Sequence, residues 1–243
     1  MIRDSISEQL DHDPYFRWRG GEVTRIENLS DIVFAIALGM LVSTSEIPKN
    51  WSQLNLHLIN IIPISLGFVL MLVVWNAHFT FFRRYGVADK WIIIVNAALL
   101  LVILYIAYPL RFMFDSLFAY VQGAVGGDWS RLREFGFAEL TGSQDAAKLT
   151  AYFTMGYSAL FFLILAMYSH AMNRADILNL NNSERIITMR SIWRYRIEVL
   201  LGVSATVAAL FSPIGPFSGF LLALNWPFSS VIDRKLKLPA IDE

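Results

Sequence analysis

Two groups of polar residues stand where the surrounding sequence is apolar. Arg25, Glu27, Asn28, Ser30 and Asp31 immediately precede or open the run IVFAIALGMLV, while His78 interrupts VVWNAHFTFF and Asn96 interrupts WIIIVNAALLL. An ionisable group at membrane depth costs about 2.5 to 3.5 kcal/mol on insertion scales, so such groups face protein or water rather than lipid. Three chemistries suit them. Asn28 or Ser30 can cap a helix whose first turn favours acids. His78 and Asn96 can hydrogen-bond between helices. Asp31 with His78 can hold a proton or a cation near the bilayer midplane, as in a coupled transporter. Arg25 and Asp31 lie six positions apart, about 600° of helical rotation, so they do not share a helix face and look to other helices for partners.

Other chemistries are excluded. The chain has no cysteine, hence no disulfide framework, thiolate metal site or cysteine nucleophile. It contains no HExxH, no GxSxG elbow and no clustered metal-ligand spacing, so neither an enzyme nor a resident metal or cofactor is indicated. A formal net charge of +0 gives no reason to expect a nucleic-acid partner.

The elements that must position these residues are hydrophobic helices. Apolar residues make up 56% of the 243 and charged residues 16%, with mean hydropathy +0.49, against about 25% charged in a soluble domain. The apolar residues cluster near 32–42, 58–82, 91–114, 149–172, 197–211 and 217–232, and about 20 residues of helix cross a hydrocarbon core. The expected fold is therefore an all-α polytopic membrane protein with about six transmembrane helices. Residues 1–24 read as a retained polar arm without a signal-peptide h-region, residues 25–232 as the transmembrane domain and residues 233–243 as a tail. Pro109 and Arg111 suggest a kink or an exit from the bilayer. Residues 115–148 read as an aqueous loop with a short amphipathic helix, and residues 173–196 as a polar, basic connector.

With odd-numbered spans running outward, 15 of the 20 lysines and arginines fall on one side and 5 on the other. The positive-inside rule then places both termini in the cytoplasm of a cell whose inner membrane holds the chain.

The segment RIENLSDIVFAIALGMLV resembles the first-helix signature of the potassium channel family called transmembrane protein 175, which is Arg, three residues, then Phe-Ser-Asp. Arg25, Ser30 and Asp31 match, and Leu29 stands where Phe is usual. Trp75, His78 and Phe81 or Phe82, followed by Asp89, Asn96 and a leucine-rich run ending at Pro109, resemble the next two helices of that family.

That resemblance implies a homotetramer of six-helix subunits around a central pore lined by the first helix, with no carbonyl-lined TVGYG loop, and none occurs here. It implies a pore constriction at Ile36, with Met40 and Ser43 one and two turns further on the same face. An apolar ring of this kind narrows and dewets a pore. The alternative for Ile36 and Met40 is packing against neighbouring helices. The resemblance also implies that Arg25, Ser30, Asp31, His78 and Asn96 form a hydrogen-bonded network tying helix 1 to helices 2 and 3, for scaffolding and gating. Gly39 departs from the family, which commonly has Thr there, and provides no side-chain ligand for an ion. The reading is a potassium-permeable cation channel embedded in the lipid bilayer, and the rival is a proton- or cation-coupled secondary transporter using Asp31 and His78.

Overall fold

The computed structural model describes residues 13, 15–21, 23–43, 48–136, 144–212 and 215–236. In chain order these form α1 (Arg25–Val42), α2 (Trp51–Ile59), α3 (Ile61–Tyr85), α4 (Lys90–Gly126), α5 (Ser130–Glu134), α6 (Gln144–Asn173), α7 (Asn182–Phe211), a 3-10 segment (Gly215–Leu224) and α8 (Asn225–Lys235). The described residues are all-α, as expected, and contain no strand. Among the described residues, three helical stretches are long and apolar enough by themselves to cross a bilayer: Trp51–Tyr85, Lys90–Gly126 and Gln144–Asn173.

The helix ends follow local chemistry. Thr24 caps α1 in a capping box closed by Glu27, so the cap is Thr24 rather than Asn28 or Ser30. Asp89 caps α4 through Ile92 N–H at 3.0 Å, and Asn181 caps α7 in a second capping box, closed by Glu184. Gly86 ends α3 at φ 61°, a left-handed backbone that glycine adopts without steric cost.

Three boundaries differ from the hydropathy reading. The helix containing Pro109 continues to Gly126, so residues 115–126 are helix rather than loop. A proline inside a membrane helix is tolerated where neighbouring groups satisfy the freed backbone. Only α5 and its flanking turns remain of the expected loop within the described residues. The supposed connector at 173–196 is a turn over 174–179 followed by the charged first half of α7. The last apolar stretch is a 3-10 segment joined to α8 rather than one continuous α-helix.

The core runs along the contacts of α1 with α3 and α4 and of α4 with α6, and α6 and α7 form the most extensive helix pair. Phe34, Ala37 and Leu41 on α1 meet Met71 and Val74 on α3 and Leu99, Ile103, Ala107 and Leu110 on α4 within one buried cluster. Asp89 at the start of α4 meets His170 near the end of α6 at 2.8 Å, and the His170 ring stacks on Trp91 at 4.5 Å.

The arm before α1 is docked. Phe16 is buried against Tyr85 in an edge-to-face pair. Arg19 and Gly20 donate backbone N–H groups to the Arg83 carbonyl. Gly20 passes so close to Phe82 that a Cβ there would stand 2.4 Å from the Phe82 carbonyl oxygen. The arm thus fixes the entry of α1 against the end of α3.

Candidate functional site

The polar residues of the first three long helices come together in two adjoining sets. In the first, Ser30 Oγ donates to the Ile26 carbonyl at 2.8 Å, Asn96 Nδ2 donates to Ser30 Oγ at 3.0 Å, and His78 Nε2 bonds Asn96 Oδ1 at 2.8 Å. All three side chains are buried, so α1, α3 and α4 are tied by a chain in which each inward polar group has a partner. The rings of Phe34 and Phe82 flank the imidazole, at 5.7 and 4.8 Å. The contact with Asn96 Oδ1, an acceptor, places a proton on His78 Nε2.

In the second set, Trp75 Nε1 donates to Asp31 Oδ1 at 2.9 Å, again joining α1 to α3. Asp31 lies on the exposed side of α1. Arg25 is exposed at the first residue of the helix and makes no hydrogen bond or ion pair with the described residues. Thus Ser30, His78 and Asn96 form one chain, Asp31 pairs separately with Trp75, and Arg25 joins neither within the subunit.

Replacing Asn96 by Leu leaves His78 and Ser30 without their shared partner. Interhelical hydrogen bonds in membranes are worth about 0.6 to 2 kcal/mol. The expected result is a thermal midpoint lower by about 3 to 6 °C for the purified chain in detergent, read by tryptophan fluorescence. An unchanged midpoint would mean that the chain of bonds does not hold the helices together.

The two sides of α1 differ. Glu27, Ser30, Phe34, Ala37 and Leu41 are buried. Leu29, Ile32, Ile36, Gly39 and Ser43 are exposed, with Ile36 at 52%. Met40 lies at the edge, half-buried against the core, so it does not share fully in the exposure of Ile36 and Ser43. Among the described residues, no atom outside α1 approaches within 4 Å of a Cβ placed on Gly39. The exposed face carries Arg25, Asn28 and Asp31 at one end, apolar residues and Gly39 in the middle, and Ser43 at the other. The outward side of α3, with Leu66, Val69, Leu72 and Val73, is apolar as lipid contact requires.

Both ends of α1 are held by arginines for which hydropathy gave no role. At the far end, Arg111 on α4 donates to the carbonyls of Leu41, at 3.2 Å, and Ser43, and lies 3.5 Å from Asp115. Carbonyls at a helix C-terminus lack intrahelical donors and carry partial negative charge, which a guanidinium satisfies. At the near end, Arg19 forms a two-pronged pair with Glu184, at 2.9 and 2.7 Å, and donates to the carbonyls of Leu178 and Asn179. The only local sign of these roles was an arginine inside or beside an apolar stretch.

Relatives of the chain are known. The sequence profile of the family described as the endosomal/lysosomal potassium channel TMEM175 matches residues 25–106, the segment that contains both polar sets. A protein of Marivirga tractuosa described as a potassium channel is 32% identical over 230 residues, 91% of each chain. A crystal structure of a single-site variant of the potassium channel MtTMEM175, solved with a nanobody-MBP fusion protein, is similar with a TM-score of 0.81 at 32% identity, covering 92% of this chain and 97% of that one. The order of apolar helices, the polar sets on the first three long helices and the near-full-length likeness agree: the chain belongs to the TMEM175 family of potassium channels.

Proposed function

We propose that the protein is a potassium-permeable cation channel, a homotetramer in the cell inner membrane with both termini in the cytoplasm, whose central pore is lined by the exposed face of α1 and narrowed at Ile36. The observation that carries this reading is that α1 packs one face into its own subunit and leaves the other uncovered. That uncovered face carries Asn28 and the ionisable Asp31 inside the helix beside an apolar middle, which supports a water-filled path with a dewetted constriction. Four copies meeting on this face would enclose a pore with Ile36, Gly39 and Ser43 toward the axis. The six-span count and the channel boundaries 25–232 belong to the same proposal. Ser30, His78 and Asn96 then act as the brace behind the pore wall, Asp31 ties α1 to α3 separately through Trp75, and Arg25 faces the neighbouring subunit or the cytoplasmic mouth.

The transporter reading is not favoured. It needs Asp31 and His78 at one site, whereas Asp31 bonds Trp75 on the exposed side of α1 and His78 is committed to Asn96 in the interior. The named relatives are potassium channels. Purified chain in liposomes is expected to pass potassium without saturation by, or coupling to, a proton gradient. Saturable uptake abolished by Asp31→Asn would restore the transporter.

Gly39→Thr tests selectivity. The space beside Gly39 accepts a larger side chain, and a threonine hydroxyl provides the ring of ligands that glycine lacks. The potassium-to-sodium permeability ratio is expected to rise about threefold or more, or by ~0.7 kcal/mol of discrimination, read from reversal potentials. An unchanged ratio would place the selective step elsewhere.

A further inference from the structure

Away from α1, a cavity of about 830 Å³ opens between α3, α6, α7, the 3-10 segment and α8. Its walls are polar along much of their length. Thr80 and Asn76 line it from α3, Ser191 from α7, and Asn225, Ser229 and Ser230 from α8. Four charged residues line it: Arg84, Arg194, Glu198 and Asp233. Arg84 is paired with Asp13 at 2.7 Å, and Arg194 holds both oxygens of Asp233 at 2.7 Å. These pairs cancel.

Glu198 is different. It lies inside the apolar half of α7 and is 7% exposed. Its partners are neutral donors: the Tyr157 hydroxyl at 2.5 Å and the Asn225 amide, whose oxygen is occupied by Ser229 Oγ at 2.9 Å. A carboxylate accepts about four hydrogen bonds, so two donors leave acceptor capacity turned to the cavity. Ionisable residues at such depth are costly and are retained at sites that bind or move charge. With the other charges among the described lining residues paired, Glu198 is the carboxyl left for a cation to ionise and pair with. Tyr195, Tyr168, Phe161 and Trp226 add aromatic walls, surfaces that favour cations by about 0.5 to 2 kcal/mol each when the geometry is met.

We propose that this cavity is a binding site for a small organic ammonium compound, with its ammonium group on Glu198 and its body against the aromatic wall. A buried carboxyl with neutral partners, beside arginines that are already paired, selects a cation over an anion or a zwitterion, and the volume far exceeds that of a bare metal ion and falls within the usual 300–1,000 Å³ of ligand sites. The site belongs to each subunit and does not depend on the pore.

The test is calorimetric titration of the full chain in detergent micelles with phenethylammonium chloride, with protein-free micelles as blank and phenethyl alcohol as the neutral counterpart. Saturable binding of the ammonium but not the alcohol is expected. Glu198→Gln, which keeps an acceptor for Tyr157, should weaken it by about tenfold or more, and Arg194→Gln, which frees the charge of Asp233, should tighten it about threefold. The tightening cannot come from a damaged fold. Ile36→Asn should leave binding unchanged, separating this site from the pore. Equal binding to wild type and Glu198→Gln, weakening by Arg194→Gln, or no saturable signal above the blank would overturn the proposal.

Discussion

Ile36→Asn is expected to raise basal potassium flux into protein-containing liposomes by about tenfold or more, roughly 1.4 kcal/mol off the permeation barrier. Ile36 is half exposed on a face that no other described part of its subunit covers, so its side chain is not holding the fold. A ring of isoleucines repels water from a narrow passage, and a partly dehydrated ion crossing it loses hydration that nothing replaces. Asparagine has a similar length and supplies an amide that holds water and meets the ion. The gain should appear without a large change in thermal midpoint, because the exposed position has few packing contacts to lose. Phe34→Asn, on the buried face of the same helix, is the contrasting variant: it should destabilise the protein and not open it. Equal fluxes for Ile36→Asn and wild type would mean that the constriction lies elsewhere.

Glu184→Ala is expected to cost about 3 kcal/mol and to release the arm that precedes α1. The Glu184 side chain is 1% exposed and holds the Arg19 guanidinium, the Arg17 backbone N–H and the Asn181 N–H. Deleting it leaves the arginine without its anion and opens the capping box of α7. The cost should appear as a lower thermal midpoint and as faster proteolysis of residues 15–21. Acid should reproduce it. Burial by itself would raise the Glu184 carboxyl, but the bonds from Arg19, Asn181 and Arg17 outweigh it and hold the group below its ordinary value of 4.5. A carboxyl depressed in the folded state contributes stability that is complete above the unfolded value and is lost as pH falls through the folded one. Arm cleavage should therefore stay constant from neutral pH to about 4.5 and rise only below it, with Glu184→Ala insensitive over the same range.

The first half of the chain was more legible in its sequence than the second. Polar residues inside apolar runs marked His78 and Asn96 as interhelical hydrogen-bonding groups, and the family resemblance implied one network of them with Arg25, Ser30 and Asp31, of which Ser30, His78 and Asn96 are bonded together here. Separating Asp31 from those three was harder. Its position just over a quarter of a turn from Ser30 is not decisive while the partner helices are unplaced. The helical state of residues 115–126 and 182–196 was hidden for a different reason. Hydropathy reports which solvent a segment prefers, not its backbone conformation, so a helix that leaves the bilayer and continues in water reads as a loop or a connector. Long-range pairs had no local signal at all. Arg19 and Glu184 are 165 residues apart, and the cap that Arg111 places on the last carbonyls of α1 depends on how α4 packs against it. The N-cap of α1 was missed by a smaller margin: Thr24 with Glu27 is itself a capping-box pattern, obscured by the polar residues that follow.

Absence of native cysteine makes the central claim open to direct examination. Single cysteines at Ile32, Ile36, Gly39 and Ser43 on the uncovered face of α1, and at Val69 and Leu72 on the outward face of α3, can each be challenged with a charged, water-soluble thiol reagent during current recording. If α1 lines the pore, modification blocks current at Ile36, Gly39 and Ser43, potassium in the bath slows the reaction at those positions, and Val69 and Leu72 remain unreactive. Block at the α3 positions with none on α1 would contradict a pore lined by the first helix.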